Sequence, residues 1–215
     1  MTKVKICGIT NIEDALHAAA CGAEMLGLNF CPRSPRYIAP EAARKITASL
    51  PSSVETVGVF VNEARPDVVR RIAEAAGVGS VQLHGDEDPE FCAALMDLHV
   101  IKAIRVSGHE ALSRIAAFSD CRILLDSPSE AFGGSGKTFD WEIARKVREL
   151  VPYLMLAGGL DAELVGEAVR LVRPDAVDAC SLLERAPGSK DRLKVECFIA
   201  AVHDLPIRAG AKNSE

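Results

Sequence analysis

The 215-residue chain has no surplus of positive charge: 25 lysines and arginines stand against 30 aspartates and glutamates, a net charge of −5. That balance argues against a nucleic-acid surface or an anionic membrane as the main partner, since both call for a basic face. An anionic ligand would have to be caught by backbone donors and a few placed cations. Long apolar runs are missing as well. No segment reaches the roughly 18 residues needed to span a bilayer, and strand-like sequence from Lys3 leaves no room for a signal peptide. The seven cysteines (7, 21, 31, 92, 121, 180, 197) form no C-x-x-C pair and have no histidine at zinc spacing. Their odd number and scatter suit free thiols in a reducing compartment, so a cytoplasmic address is expected. Low-complexity linkers are lacking too, and 48% hydrophobic residues suffice for one buried core.

What is there is alternation. Eight apolar, β-branched runs stand out: Val4–Ile9, Met25–Phe30, Thr56–Val61, Ser80–Leu83, Val100–Val106, Arg122–Leu125, Tyr153–Ala157 and Ala176–Cys180. Between them lie segments with helical spacing of apolar positions. These are Asn11–Ala20, Ala39–Leu50, Pro66–Ala76, Glu90–Met96, His109–Phe118, Thr138–Leu150, Asp161–Val172 and Asp191–Val202. Asn11 followed by Asp14 forms a variant capping box, and Gly22 and Gly77 sit where helices stop. Strict β-then-α order predicts an α/β fold with parallel strands and helices outside. Eight units close most naturally as a (β/α)8 barrel, with a doubly wound open sheet as the competitor. One domain over residues 1–206 is expected, with a frayed tail at 207–215.

The strand ends favour the barrel. They read Cys7, Asn29, Asn62, His84, Arg105, Asp126, Gly158-Gly159 and Ser181, almost all polar, reactive or glycine. A barrel gathers all eight ends into one rim, where active sites sit; an open sheet would spread them along an edge.

Each motif has a functional and a plain reading. Ile123–Trp141 brings an apolar strand to Asp126 and then a loop with Gly133, Gly134 and Gly136; Asp126 could instead be a turn or capping residue. The loop FGGSGKT fails the phosphate-loop pattern by one position, Ala131. Its glycines still allow close backbone approach to a ligand. LAGGL (156–160) and DACS (178–181) fall where barrels commonly hold phosphate, on backbone N–H groups at a helix start. A helix-starting turn is the alternative. Lys5 and Cys7 share one strand face, so the ammonium should lie about 7 Å below the thiol and favour the thiolate; a lone strand cysteine is otherwise inert core. Leu124 and Asp126 also share a face, which places apolar surface under an acid and favours its protonated form. Arg33 and Arg36 offer forked donors for an anion or stay solvated. Gln82 and His84 share a face, and His84 is a rim hydrogen-bonder or a catalyst.

Assembled, KICGIT (5–10), GLNF (27–30), SPRYI (34–38), GVFVN (58–62), VQLHGDE (81–87), LLDS (124–127), GGSGKTFDW (133–141), LAGGL (156–160) and PGSKD (187–191) resemble the phosphoribosylanthranilate isomerase family. The resemblance runs from the first strand to the last helix. It implies a (β/α)8 barrel without metal or organic cofactor, acting on a small phosphorylated substrate as a monomer or homodimer. It implies that Cys7 is a general base, Asp126 a general acid, and Arg36 the holder of the anthranilate carboxylate. Phosphate would sit around Gly134, Gly136, Gly158, Gly159 and Ser181, with His84 and Asp178 also on the substrate. The alternatives are a non-catalytic barrel that binds a phosphorylated metabolite and an isomerase of another phosphoribosyl amine. One departure stands out: the family often reads S-S-G-V-E after the eighth strand, whereas this chain has Cys180-Ser181-Leu182-Leu183-Glu184. A leucine avoids positive φ, so an ordinary backbone is expected there.

Overall fold

The structure, a computed structural model, describes residues 1–105, 115–126 and 141–204. Eight parallel strands close into a ring in sequence order. They are β1 Lys3–Cys7, β2 Met25–Asn29, β3 Glu55–Phe60, β4 Ser80–Leu83, β5 His99–Arg105, β6 Arg122–Asp126, β7 Leu154–Ala157 and β8 Ala176–Ala179. β1 pairs with both β2 and β8, so no edge remains and the open-sheet alternative falls. The described helices outside the ring are α1 Ile12–Ala20, α2 Pro40–Ser49, α3 Pro66–Ala76, α4 Pro89–Ala93, α5 Trp141–Leu150, α6 Val165–Val172 and α7 Arg192–His203.

Two apolar groups account for the layering. Val4, Ile6, Leu26, Leu28, Phe60 and their neighbours pack outward under the helices. Met25, Val57, Ile101, Leu124, Met155 and Ala176 point inward and fill the lower barrel, so the ring is a packed core rather than a pore. Alternation along each strand sends neighbouring residues to opposite sides, and both sides are covered, so the strands are mostly apolar and the polar residues on them, Lys5, Gln82, Lys102 and Asp178, are buried too.

Local chemistry sets the helix ends. Asn11 Oδ1 accepts from the Asp14 amide at 2.8 Å while the Asn11 side-chain amide donates to Asp14 Oδ2, as the capping-box spacing predicts. α3 stops at Gly77 in the left-handed region, φ 69°. Strand ends shift by one or two residues from the sequence reading, and three helices depart from it further. α4 ends at Ala93 rather than Met96. α6 starts at Val165, not Asp161, because Asp161 Oδ1 accepts from the amides of Glu163 and Leu164 at 3.0 Å each and closes a turn first. Within His109–Phe118 the described part holds a single 3-10 turn, Ala116–Phe118. Residues 106–114, 127–140 and the tail after Asp204 lie outside the described residues.

A short antiparallel pair, β9 Glu184–Ala186 and β10 Ser189–Lys190, was not legible as strand sequence. It turns at Gly188 (φ 79°) and is tied to the first helix by the Lys190 amide, which donates to buried Asp14 at 2.9 Å. Leu182 has no positive φ and lies in a 3-10 turn, Ser181–Leu183, the ordinary backbone expected of a leucine.

Candidate active site

The C-terminal strand ends surround a cavity of about 630 Å³. Cys7, Asn29, His84, Arg105, Asp126, Gly158, Gly159 and Ser181 all line it, as the rim argument requires. Asn62 does not. Its backbone lies past the end of β3 at φ 52°, its amide donates to Glu87 Oε1 at 2.7 Å, and its side chain bonds Asp86, so it staples two loops instead. Val59 takes its place in the lining. Arg36, Ser34, Gln82, Asp178, Cys180 and Leu182 also line the wall, whereas Arg33 is exposed to solvent. Gly134 and Gly136 lie outside the described residues.

Cys7 ends β1 and stands beside Gly27 on β2. A Cβ at position 27 would meet the Cys7 sulfur at 2.7 Å and Lys5 Nζ at 3.2 Å, so only glycine leaves room for both. The long lysine stem therefore brings its ammonium up beside the thiol, closer than counting strand rises suggested. Lys5 is fully buried, and its Nζ donates to Asp178 Oδ1 at 3.0 Å. Burial works against the charged amine, but Asp178 and Cys7 together raise its pKa above the usual lysine range. Burial pushes Asp178 up to about 7 despite the ammonium beside it. The Cys7 thiol is held well below its ordinary value by the neighbouring Cys180 thiol, opposed by burial and aided by Lys5 and Lys190.

Asp126 ends β6 with Leu124, fully buried, two residues below it, as alternation predicts. The carboxyl itself is partly open to the cavity, and His84 Nε2 lies 3.1 Å from its Oδ2. Gln82 Nε2 lies 2.7 Å from His84 Nδ1, which makes His84 part of a chain between two strands rather than an isolated rim residue. Gln82 Oε1 is buried and has no partner among the described residues.

Arg36 forks onto Glu184: Nε donates at 2.9 and 3.1 Å and Nη2 at 2.6 Å. Lys190 Nζ donates to the same carboxylate at 2.9 Å. Burial pushes Glu184 upward, but the Arg36 and Lys190 hydrogen bonds win and hold it below the usual carboxylate range. Glu184 and Lys190 come from the hairpin and escaped the sequence reading; the only signal was PGSKD. Gly158 (φ 90°) and Gly159 (φ 62°) take backbone conformations that a side chain resists, and both line the cavity. On the helical shell, His17 Nε2 lies 3.7 Å from Cys21 Sγ, four residues along the chain, and 3.4 Å from Glu196 on α7, the member that the linear sequence did not place there.

A closed parallel barrel whose C-terminal mouth gathers a depressed thiol, an acid, a histidine and a forked arginine defines the class: a (β/α)8-barrel enzyme. The chain belongs to the N-(5'-phosphoribosyl)anthranilate isomerase family, whose model, described as N-(5'phosphoribosyl)anthranilate (PRA) isomerase, matches residues 4–201. It is 46% identical over 200 residues to the N-(5'-phosphoribosyl)anthranilate isomerase of Thermotoga maritima, covering 93% of this chain and 97% of that one. The Trichlorobacter lovleyi protein of the same name is 49% identical over the same shares. The crystal structure of the Thermotoga maritima enzyme superposes with a TM-score of 0.90 at 45% identity, covering 95% of this chain and all of that one. A second, solved in complex with reduced 1-(o-carboxyphenylamino)-1-deoxyribulose 5-phosphate, gives 0.87 at 42% identity over the same shares. Among the described residues no helix is long and apolar enough to cross a membrane.

Proposed function

We propose that this chain catalyses the Amadori rearrangement of N-(5-phosphoribosyl)anthranilate to 1-(2-carboxyphenylamino)-1-deoxyribulose 5-phosphate, a cytoplasmic step of tryptophan biosynthesis. The observation that carries the reading is that Cys7 and Asp126, 119 positions apart by their numbers (126 − 7), open on one cavity of a closed ring. Asp126 protonates the furanose ring oxygen as the ring opens, and the substrate's own nitrogen forms the Schiff base, so no catalytic lysine is needed. Cys7 then removes the C2′ proton, and the enolamine tautomerises to the ketone. Each proton-transfer group contributes roughly 10²–10⁴-fold.

The rest of the wall positions. Arg36, locked on one side by Glu184, keeps Nη1 for the anthranilate carboxylate. The amides around Gly158, Gly159 and Ser181, with the loop carrying Gly134 and Gly136, take the phosphate. The amides of Glu163 and Leu164 are spent on Asp161, so the donors come from before it. Asp178 offers an acceptor on the cavity floor and anchors Lys5 under the thiol. His84 orients Asp126.

The test is the decay of phosphoribosylanthranilate fluorescence on adding the protein. Decay at an enzymatic rate supports the reading. Binding without decay would leave a non-catalytic barrel, and no response to this substrate but turnover of another phosphoribosyl amine would move the specificity.

A further inference from the structure

Cys180 has no part in the reaction above, yet it stands beside Cys7. β1 and β8 run parallel with Ile6 opposite Ala179, so Cys7 at the end of β1 and Cys180 just past the end of β8 come side by side. Neighbouring strands lie about 4.8 Å apart, inside the Cα separations of about 4.4–6.8 Å that a disulfide accepts. Both thiols line the cavity, and the Cys180 sulfur crowds the residue after Cys7, lying 2.9 Å from where a Cβ on Gly8 would stand. Lys190 Nζ lies 4.0 Å from the Cys180 sulfur, and the Lys5 ammonium and the Cys7 sulfur crowd the same point beside Gly27. A thiolate flanked by cations, reachable by solvent and next to a second thiol, is the setting in which cysteine oxidation is selective and reversible.

We propose that Cys7 and Cys180 form a reversible oxidation site, in which a small hydroperoxide entering the cavity oxidises Cys7 and Cys180 captures the product as an intramolecular disulfide. With hydrogen peroxide, the Cys7 thiolate attacks one oxygen; the S–O bond forms, the O–O bond breaks, and the departing hydroxide takes up a proton as water. Sulfur loses two electrons and the peroxide gains them. Cys180 then attacks the Cys7 sulfur, the S–S bond forms, the S–O bond breaks, and the hydroxide leaves as water with the proton Cys180 gives up. The disulfide holds the sulfur that the proposed reaction needs as a base, so turnover stops until a dithiol reduces it. The oxidation itself does not rest on Cys7 being the base; only the loss of turnover does.

A second thiol pair serves as the internal comparison. Cys92 and Cys121 also lie close together, but neither lines the main cavity. Full-length wild type and Cys180→Ser are treated with a few equivalents of hydrogen peroxide, blocked with an alkylating agent, mapped as peptides without reduction, and assayed before and after dithiothreitol. Wild type is expected to yield a Cys7–Cys180 linked peptide, to lose turnover in proportion to it, and to recover fully on reduction. Cys180→Ser is expected to carry Cys7 on to the sulfinic acid, with no recovery by dithiothreitol. Sulfinic Cys7 without a link in wild type, or a link confined to Cys92 and Cys121, would overturn the proposal. A Cys7–Cys180 link with turnover intact would leave the oxidation site standing and remove Cys7 from the proton-transfer role.

Discussion

His84 Nε2 on β4 lies 3.1 Å from Asp126 Oδ2 on β6, with the Gln82 amide 2.7 Å behind the other ring nitrogen. An amide that donates to Nδ1 leaves the imidazole proton on Nε2, aimed at the carboxyl; the assignment follows from the donor and acceptor types. One oxygen of Asp126 is thereby pinned and the other left for the substrate. His84→Ala is expected to lower kcat by up to about 10²-fold, the scale of a misplaced catalytic group, with KM nearly unchanged. Steady-state kinetics reads the split, and an unaltered kcat would show that Asp126 needs no such partner.

The thiol at Cys7 is depressed by its neighbours, so the sign of its pH dependence is fixed. The base is present above its lowered pKa and is lost as pH falls through it, well to the acid side of the ordinary thiol near 8.5. Lys5→Met removes one of the favourable charges and is expected to move the acid limb of kcat/KM, and the alkylation profile of Cys7, to higher pH. Coincident profiles for the two proteins would mean that Lys5 only fills space.

Arg36 and Glu184 should act as a unit. Arg36→Lys keeps the charge but loses the fork, which costs about 1.5–3 kcal/mol for a charge-assisted hydrogen bond, roughly a ten- to hundred-fold rise in KM. Glu184→Gln is expected to raise KM in the same direction by a smaller factor, because Arg36 and Lys190 lose their shared anion. A change confined to kcat in either variant would argue against a binding role.

Gly27→Ala tests the crowding around the thiol. The added methyl would lie 2.7 Å from Cys7 Sγ and 3.1 Å from Cys7 Cα. Overpacking of this kind costs typically about 1–3 kcal/mol. Urea unfolding should register that loss, and activity should fall with it. Unchanged stability would mean that β1 and β2 separate easily at this point.

The ring and its mouth were legible because parallel strands buried on both faces leave short, largely apolar runs, and their ends expose whatever follows. The thiol, the acid and the second-loop arginine were each found that way. Asn62 misled because its polarity serves a loop staple rather than the cavity. Glu184 and Lys190 were invisible for the opposite reason: three- and two-residue strands carry no periodicity. The Cys7–Cys180 contact and the Lys5–Asp178 pair span most of the chain, Lys5 and Asp178 being 173 residues apart. Only ring closure through β1 and β8 brings them together, and no local pattern encodes that.

The central claim is that a thiolate takes a proton while a carboxylic acid gives one. Cys7→Ala and Asp126→Asn, assayed for decay of phosphoribosylanthranilate fluorescence alongside the unaltered protein, address it most directly. Both variants should remain folded by circular dichroism and each should lose about 10²–10⁴-fold in kcat. Wild-type turnover in either one would contradict the division of labour between the two residues.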